Sequence, residues 1–144
     1  MKILVINGPN INMLGTREPE IYGKTTLEDI NKELVEYSKT LGDIEFDFFQ
    51  SNHEGEIVDK IQASKGYDGL IINPAAYTHT SIAIADAIKS LELKAIEVHL
   101  SNPQQREDYR KISYKASACV GVIAGFGKES YKLALLGLIN KINE

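Results

Sequence analysis

Lys2-Ile3-Leu4-Val5-Ile6-Asn7-Gly8-Pro9-Asn10 opens the chain with four consecutive apolar residues that stop at a cluster of turn formers. An unbroken apolar run, rather than an alternating one, suits a strand covered on both faces. The same arrangement returns in Leu70-Ile71-Ile72-Asn73-Pro74, in Lys94–Val98 followed by His99-Leu100-Ser101-Asn102-Pro103, and in Val120–Ala124. Ile44, Phe46 and Phe48 instead alternate with Glu45 and Asp47, which predicts a strand with a polar face at a sheet edge. Between the strands run helical spacings. Leu27, Ile30, Leu34 and Leu41 follow a capping box at Thr25 and Glu28 and stop at Gly42. Ile57, Val58 and Ile61 follow a second box at Ser51 and Glu54 and stop at Gly66. Ile84, Ile88 and Leu91 mark a helix over 81–91, and Leu135, Leu138, Ile139 and Ile142 mark a last one over 128–142. The polar segment 104–117 reads as irregular, with one helical turn.

Five strands alternating with helices predict an open, doubly wound α/β layer structure with a parallel sheet and right-handed crossovers. The 144 residues make one domain, 1–144, and are too few for a (β/α)₈ barrel, which needs about 250. The net charge of 16 − 20 = −4 argues against sequence-independent binding of nucleic acid, which needs a basic face. No apolar run is long enough to span a membrane, and the opening lacks the apolar stretch of a signal peptide, so a cytoplasmic location is expected. The single cysteine, Cys119, excludes an internal disulfide and a cysteine-rich zinc site, and its apolar surroundings suit a core residue better than a nucleophile. His53, His79 and His99 lack the spacing of a metal cluster.

In sheets of this kind ligands bind beyond the carboxyl ends of the strands. That rule selects three segments: 7–23, 73–81 and 97–102. The first is a long loop with three Gly and two Pro, and it carries Asn10, Arg17 and Tyr22. Taken singly these are a turn residue, a surface cation and a packed aromatic. Taken together they offer a base: a phenol has a pKa of about 10, and one close guanidinium lowers such a value by roughly 1–3. Further positive field would then bring the phenolate within reach of neutral pH, with no metal. Glu97 and His99 are two apart on a strand and so project to one face, where the carboxylate can orient the imidazole as a proton donor; the plain alternative is a structural ion pair. Asn73 and His79 offer directional hydrogen bonds beside the small Ala75 and Ala76. Leu100 and Ser101 open a turn whose backbone N–H groups could hold a carboxylate, with Arg110 just downstream as a cationic clamp. Asp86, on the third helix, reads as a solvated charge unless another subunit meets it. Gly125-Phe126-Gly127 follows the last strand and lacks the third glycine of a dinucleotide loop.

Three runs carry a family resemblance: Asn7-Gly8-Pro9-Asn10-Ile11-Asn12-Met13-Leu14-Gly15-Thr16-Arg17-Glu18-Pro19-Glu20-Ile21-Tyr22-Gly23, Asn73-Pro74-Ala75-Ala76-Tyr77-Thr78-His79-Thr80-Ser81, and Glu97-Val98-His99-Leu100-Ser101-Asn102. Together with Gly121–Gly127 they resemble the type II 3-dehydroquinate dehydratases over nearly the whole chain. The resemblance implies a flavodoxin-like fold with sheet order 2-1-3-4-5 and a shikimate-pathway enzyme that removes water from 3-dehydroquinate in the anti sense, through an enolate. It implies Tyr22 as base, Arg17 as its activator, Asn10 as enolate stabiliser through a water, and His99, oriented by Glu97, as acid. It implies substrate contacts from Asn73, His79, Ser101, Arg110 and the Leu100 backbone, and a lid around 15–24. No cofactor, metal or lysine imine is implied. The expected assembly is a homododecamer, a tetramer of trimers, with Asp86 reaching a neighbour's site. The chain departs from the family at Pro103-Gln104-Gln105, at Ala85 and at Ala116-Ser117. The competing expectation is a flavodoxin-like flavin, nucleotide or signalling module, since fold alone does not fix function. Against it, strand three ends at Asn73 rather than at a phosphoacceptor Asp.

Overall fold

Alternate residues of β1 (Lys2–Asn7) serve two separate cores, which is why its apolar run is unbroken. In the computed structural model, which describes residues 1–16, 20 and 23–144, Ile3 and Val5 pack into one layer and Leu4 and Ile6 into the other, all four fully buried. The remaining strands are β2 (Glu45–Gln50), β3 (Gly69–Asn73), β4 (Lys94–His99) and β5 (Gly121–Ala124). All pair in parallel in the order β2-β1-β3-β4-β5. Helices α1 (Leu27–Ser38) and α4 (Glu129–Ile142) supply Ile30, Leu34, Tyr131, Leu135 and Leu138 to one face. Helices α2 (Glu54–Gln62) and α3 (Ile82–Lys89) supply Ile57, Ile61, Ile84 and Ile88 to the other. This is the three-layer, flavodoxin-like arrangement expected from the sequence.

β2 lies at the edge, as its alternation predicts. Its polar face is used rather than merely wetted: Asp47 accepts hydrogen bonds from the Tyr67 hydroxyl and the Lys60 ammonium, both at 2.8 Å. Burial would raise the Asp47 carboxyl, but these two donors outweigh it and hold it below its ordinary value.

Two helix starts differ from expectation. The capping box of α1 is Thr26 with Asp29, one residue later than Thr25 with Glu28. The Thr26 hydroxyl accepts from the Asp29 N–H at 3.1 Å, and Asp29 accepts the Thr26 N–H at 3.0 Å. The later start lets Leu27 and Ile30 both face the core. At α2 no box forms. Ser51 accepts the His53 N–H at 2.9 Å and donates to Glu56 at 2.9 Å, so the helix begins beyond His53. Segment 104–117 contains three short 3₁₀ turns, Pro103–Gln105, Asp108–Arg110 and Ala116–Ala118, rather than one helical turn.

The carboxyl ends of β1 and β3 are drawn together by Gly8, whose N–H donates to the Asn73 carbonyl at 2.8 Å. A Cβ at position 8 would stand 2.5 Å from the Pro74 oxygen, so only glycine permits this approach. Gly8→Ala is expected to cost about 1–3 kcal/mol through overpacking. A lowered thermal midpoint in calorimetry would register it, and an unchanged midpoint would deny the close approach any role.

Candidate active site

The sheet changes direction between β1 and β3, and there Asn7 and Asn73 stand opposite each other in register. Ligand sites form at this kind of switch point. The Tyr131 hydroxyl, from α4, is 99% buried with its residue and bridges the two: it donates to Asn7 Oδ1 and accepts from Asn73 Nδ2 at 3.0 Å. Burial pushes the Tyr131 phenol well above its ordinary value. Asn73 Oδ1 also accepts the Ala75 N–H at 3.1 Å. An amide offers two N–H donors and two oxygen lone pairs, so one of each remains for a ligand hydroxyl.

Asn10 and Ala75 are the two described non-glycine residues with positive φ, 70° and 52°. Asn tolerates this left-handed region; Ala does so at a cost of about 1–3 kcal/mol, and such strain gathers at ligand-binding sites. Both lie at this sheet edge, immediately beyond β1 and β3. The end of β2 braces the first turn: Gln50 donates to the Gly8 carbonyl at 3.1 Å, and the Asn10 N–H donates to Asn52 Oδ1 at 3.0 Å.

Glu97 and His99 project together from β4, as their spacing predicts. Glu97 is 1% exposed and His99 8%, and the imidazole Nε2 lies 3.0 Å from Glu97 Oε2. A carboxylate accepts, so Nε2 carries the hydrogen and Nδ1 is the ring atom left for proton exchange with a ligand. The other carboxylate oxygen accepts from the Ser113 hydroxyl at 2.6 Å. His79 is fixed in a similar way: its Nδ1 lies 2.7 Å from the Ile112 carbonyl, which makes Nδ1 the donor and leaves Nε2 for a ligand. Ser101 is exposed and Leu100 half-buried, its carbonyl accepting from the Gly127 N–H at 2.9 Å. Arg110 sits on the 3₁₀ turn Asp108–Arg110, and its Nε donates to Glu107 at 2.7 Å. The rest of the guanidinium fork remains to grip an anion. Asp86 is exposed on α3 and is not among the residues that line the cavity described next. Arg17 and Tyr22, and with them half of the expected lid, lie outside the described residues.

A cavity of about 290 Å³ opens beside this edge, lined by Thr78, Glu97, His99, Arg110 and Ser113 among others. A larger cleft of about 620 Å³ lies between the loops that lead into β3 and β4, lined by Tyr67, Ser90 and Leu93 among others. It sits at the amino end of the strands and holds no paired acid and base, so the smaller cavity is the better candidate. Among the described residues, no three His, Cys, Asp or Glu side chains gather as metal ligands, and no helix is long and apolar enough to cross a membrane.

One residue, Lys115, had no signal in the sequence, while Cys119 sits as its surroundings there suggest. A lysine ordinarily keeps its ammonium in water, yet Lys115 is fully buried and its ammonium donates to the carbonyls of Tyr77, Thr78 and Ser81. Burial pushes it down to about 8, against the opposing pull of the Glu97 and Glu54 charges. Cys119 packs in the α2/α3 layer, and burial, with the Glu97 charge, pushes its thiol up to about 12, as suits a core residue. The Lys115 value has a consequence for stability. Between about 8 and its ordinary 10.5 the unfolded chain holds a proton that the folded chain has released. Stability from this group therefore rises with pH across that window. Urea midpoints measured from pH 8 to 10 should rise more for the natural chain than for Lys115→Met; parallel curves would contradict it.

Fold and site together define a flavodoxin-like α/β protein with a buried carboxylate–imidazole pair and convergent amides at the carboxyl edge of its sheet. The model of the class II dehydroquinases matches residues 1–139, and the chain belongs to that family. It is 57% identical to the 3-dehydroquinate dehydratase of Geotalea daltonii, with all of both chains covered. It is 60% identical to that of Campylobacter hominis over 96% of this chain and 90% of the relative. The solved structure of the type II dehydroquinase from Butyrivibrio crossotus superposes with a TM-score of 0.89 at 49% identity, covering 100% of this chain and 98% of that one. Membership favours the first of the two readings drawn from the sequence.

Proposed function

We propose that the chain is a 3-dehydroquinate dehydratase that works without metal, cofactor or imine. The observation that carries the reading is the buried Glu97–His99 pair at the carboxyl end of β4, in a chain that matches the family over nearly its full length. Tyr22, as phenolate beside the Arg17 guanidinium, removes a proton next to the substrate ketone. The electron pair moves onto the carbonyl oxygen as an enolate, which Asn10 stabilises through a water. Collapse of the enolate expels the hydroxyl on the neighbouring carbon in the anti sense, and His99 Nδ1 supplies its proton. Glu97 accepts the Nε2 hydrogen, so in the imidazolium form, protonated at both ring nitrogens, Nδ1 carries the proton that is given and the neutral ring remains bonded to Glu97. Asn73, His79, Ser101 and the Leu100 backbone bind hydroxyls and carboxylate, with Arg110 as the cationic clamp. The segment 15–24 serves as a lid that brings Arg17 and Tyr22 over the substrate.

An imine route is disfavoured by the setting of Lys115, whose ammonium is enclosed by three carbonyls. The assembly proposed is a cytoplasmic homododecamer, a tetramer of trimers in which Asp86 completes a neighbour's site; the native mass tests it. The deciding experiment is addition of 3-dehydroquinate, which should generate the ultraviolet absorbance of a conjugated enone. No signal at saturating substrate would reject the reading. Borohydride added with substrate should leave activity intact.

A further inference from the structure

The Glu97 carboxylate is buried and bonded at both oxygens, by His99 on one side and by Ser113 on the other. A buried carboxylate with one oxygen unmatched would be free to turn, and its partner with it. The Ser113 hydroxyl is itself constrained. Its oxygen accepts the N–H groups of Lys115 and Ala116, each at 3.2 Å. With both lone pairs taken, its hydrogen has one direction left, toward Glu97 at 2.6 Å. We propose that Ser113 is a positioning residue for the proton-donor pair: it fixes the Glu97 carboxylate, and through it the angle of the His99 ring.

The strap that carries Ser113 is itself anchored. Lys115 donates to the carbonyls of Tyr77, Thr78 and Ser81, the Tyr114 N–H donates to the Thr78 carbonyl at 3.1 Å, and the Ile112 carbonyl accepts from His79. One short segment thereby sets two site imidazoles, His99 by way of Ser113 and Glu97, and His79 directly. Among the described residues no carboxylate bonds the ammonium, and its donors go to the carbonyls of the turn between β3 and α3. No family motif quoted above includes Ser113 or Lys115, and the Ser113 hydroxyl, in the lining of the candidate cavity, gives its hydrogen to Glu97.

The inference rests on the dehydratase reading, and the test separates the two. Ser113→Ala, Ser113→Thr and Lys115→Met are compared with the natural chain in the enone assay across pH. Ser113→Ala is expected to lower kcat about ten- to a hundredfold with KM little changed. It should also displace the limb of the kcat–pH profile set by the donor pair by about half a pH unit or more. Ser113→Thr keeps the hydroxyl and should restore both. Lys115→Met should lower kcat in the same sense and raise KM as well, because His79 loses its support. The ring-nitrogen NMR signals of His99, read at one fixed pH, should move in Ser113→Ala and return in Ser113→Thr. If Ser113→Ala does not fold, Ser113→Cys, with a weaker donor of similar shape, takes its place. An unchanged pH profile and unmoved His99 signals in a folded Ser113→Ala chain overturn the proposal. If the natural chain gives no enone, the dehydratase reading fails, and the NMR comparison still decides whether Ser113 sets His99.

Discussion

Replacing Tyr22 with Phe is expected to lower kcat for 3-dehydroquinate by roughly 10²–10⁴-fold while leaving KM near its natural value. The substitution removes one oxygen, and with it the atom proposed to take the proton. The physical difficulty it probes is large: a phenol that ordinarily titrates near about 10 is only ~0.1% ionised at neutral pH. Arg17 is the group proposed to overcome this, since a guanidinium stays charged throughout. Arg17→Ala should therefore leave a residual activity whose base-dependent limb lies at higher pH. An unchanged profile in Arg17→Ala, or full turnover in Tyr22→Phe, would remove the base from the mechanism. The partial reaction gives a sharper measure. In deuterated water the natural chain should exchange the substrate proton next to the ketone, and Tyr22→Phe should not.

The second large effect is expected at His99. His99→Ala removes the proton donor to the leaving hydroxyl and should also cost roughly 10²–10⁴-fold in kcat. Here the exchange experiment should come out the other way. The base remains, the enolate still forms, and deuterium enters the substrate although water is not expelled. Loss of exchange in folded His99→Ala would mean that the imidazole acts before the enolate, contrary to the order proposed. Removing His99 also leaves a buried carboxylate with one partner instead of two, a change that in buried pairs costs about 3–5 kcal/mol. Circular dichroism and a thermal midpoint must accompany the rate, so that a fallen rate is not a fallen structure.

The sequence made the architecture readable where the code is local. Apolar runs marked the strands with two covered faces, alternation marked the edge strand, and spacing by two placed Glu97 and His99 on one side of β4. Each of these depends on residues within a few positions of one another. What could not be read is what the fold brings from far away. Tyr131 meets Asn73 across 58 positions, and Ser113 meets Glu97 across 16. No periodicity announces either contact. Lys115 carries the opposite lesson, because its residue type alone argues for solvent, and only the carbonyls gathered around it explain its burial. The strained φ of Ala75 leaves no trace in composition. The shifted start of α1 shows a different limit: two overlapping Thr-x-x-acid patterns are present, and packing of Leu27 chooses between them.

The proposed mechanism asks opposite behaviour of two tyrosines. Tyr131, sealed beneath the sheet edge and bonded to two amides, keeps its hydrogen far into alkali. Reagents that seek phenolates, such as iodinating or nitrating agents, are therefore blind to it, and it is silent in a spectrophotometric titration near neutrality. Any tyrosinate absorbance that rises at such mild acidity must originate from one of the other six tyrosines, and its disappearance in Tyr22→Phe would assign it to the loop beyond β1.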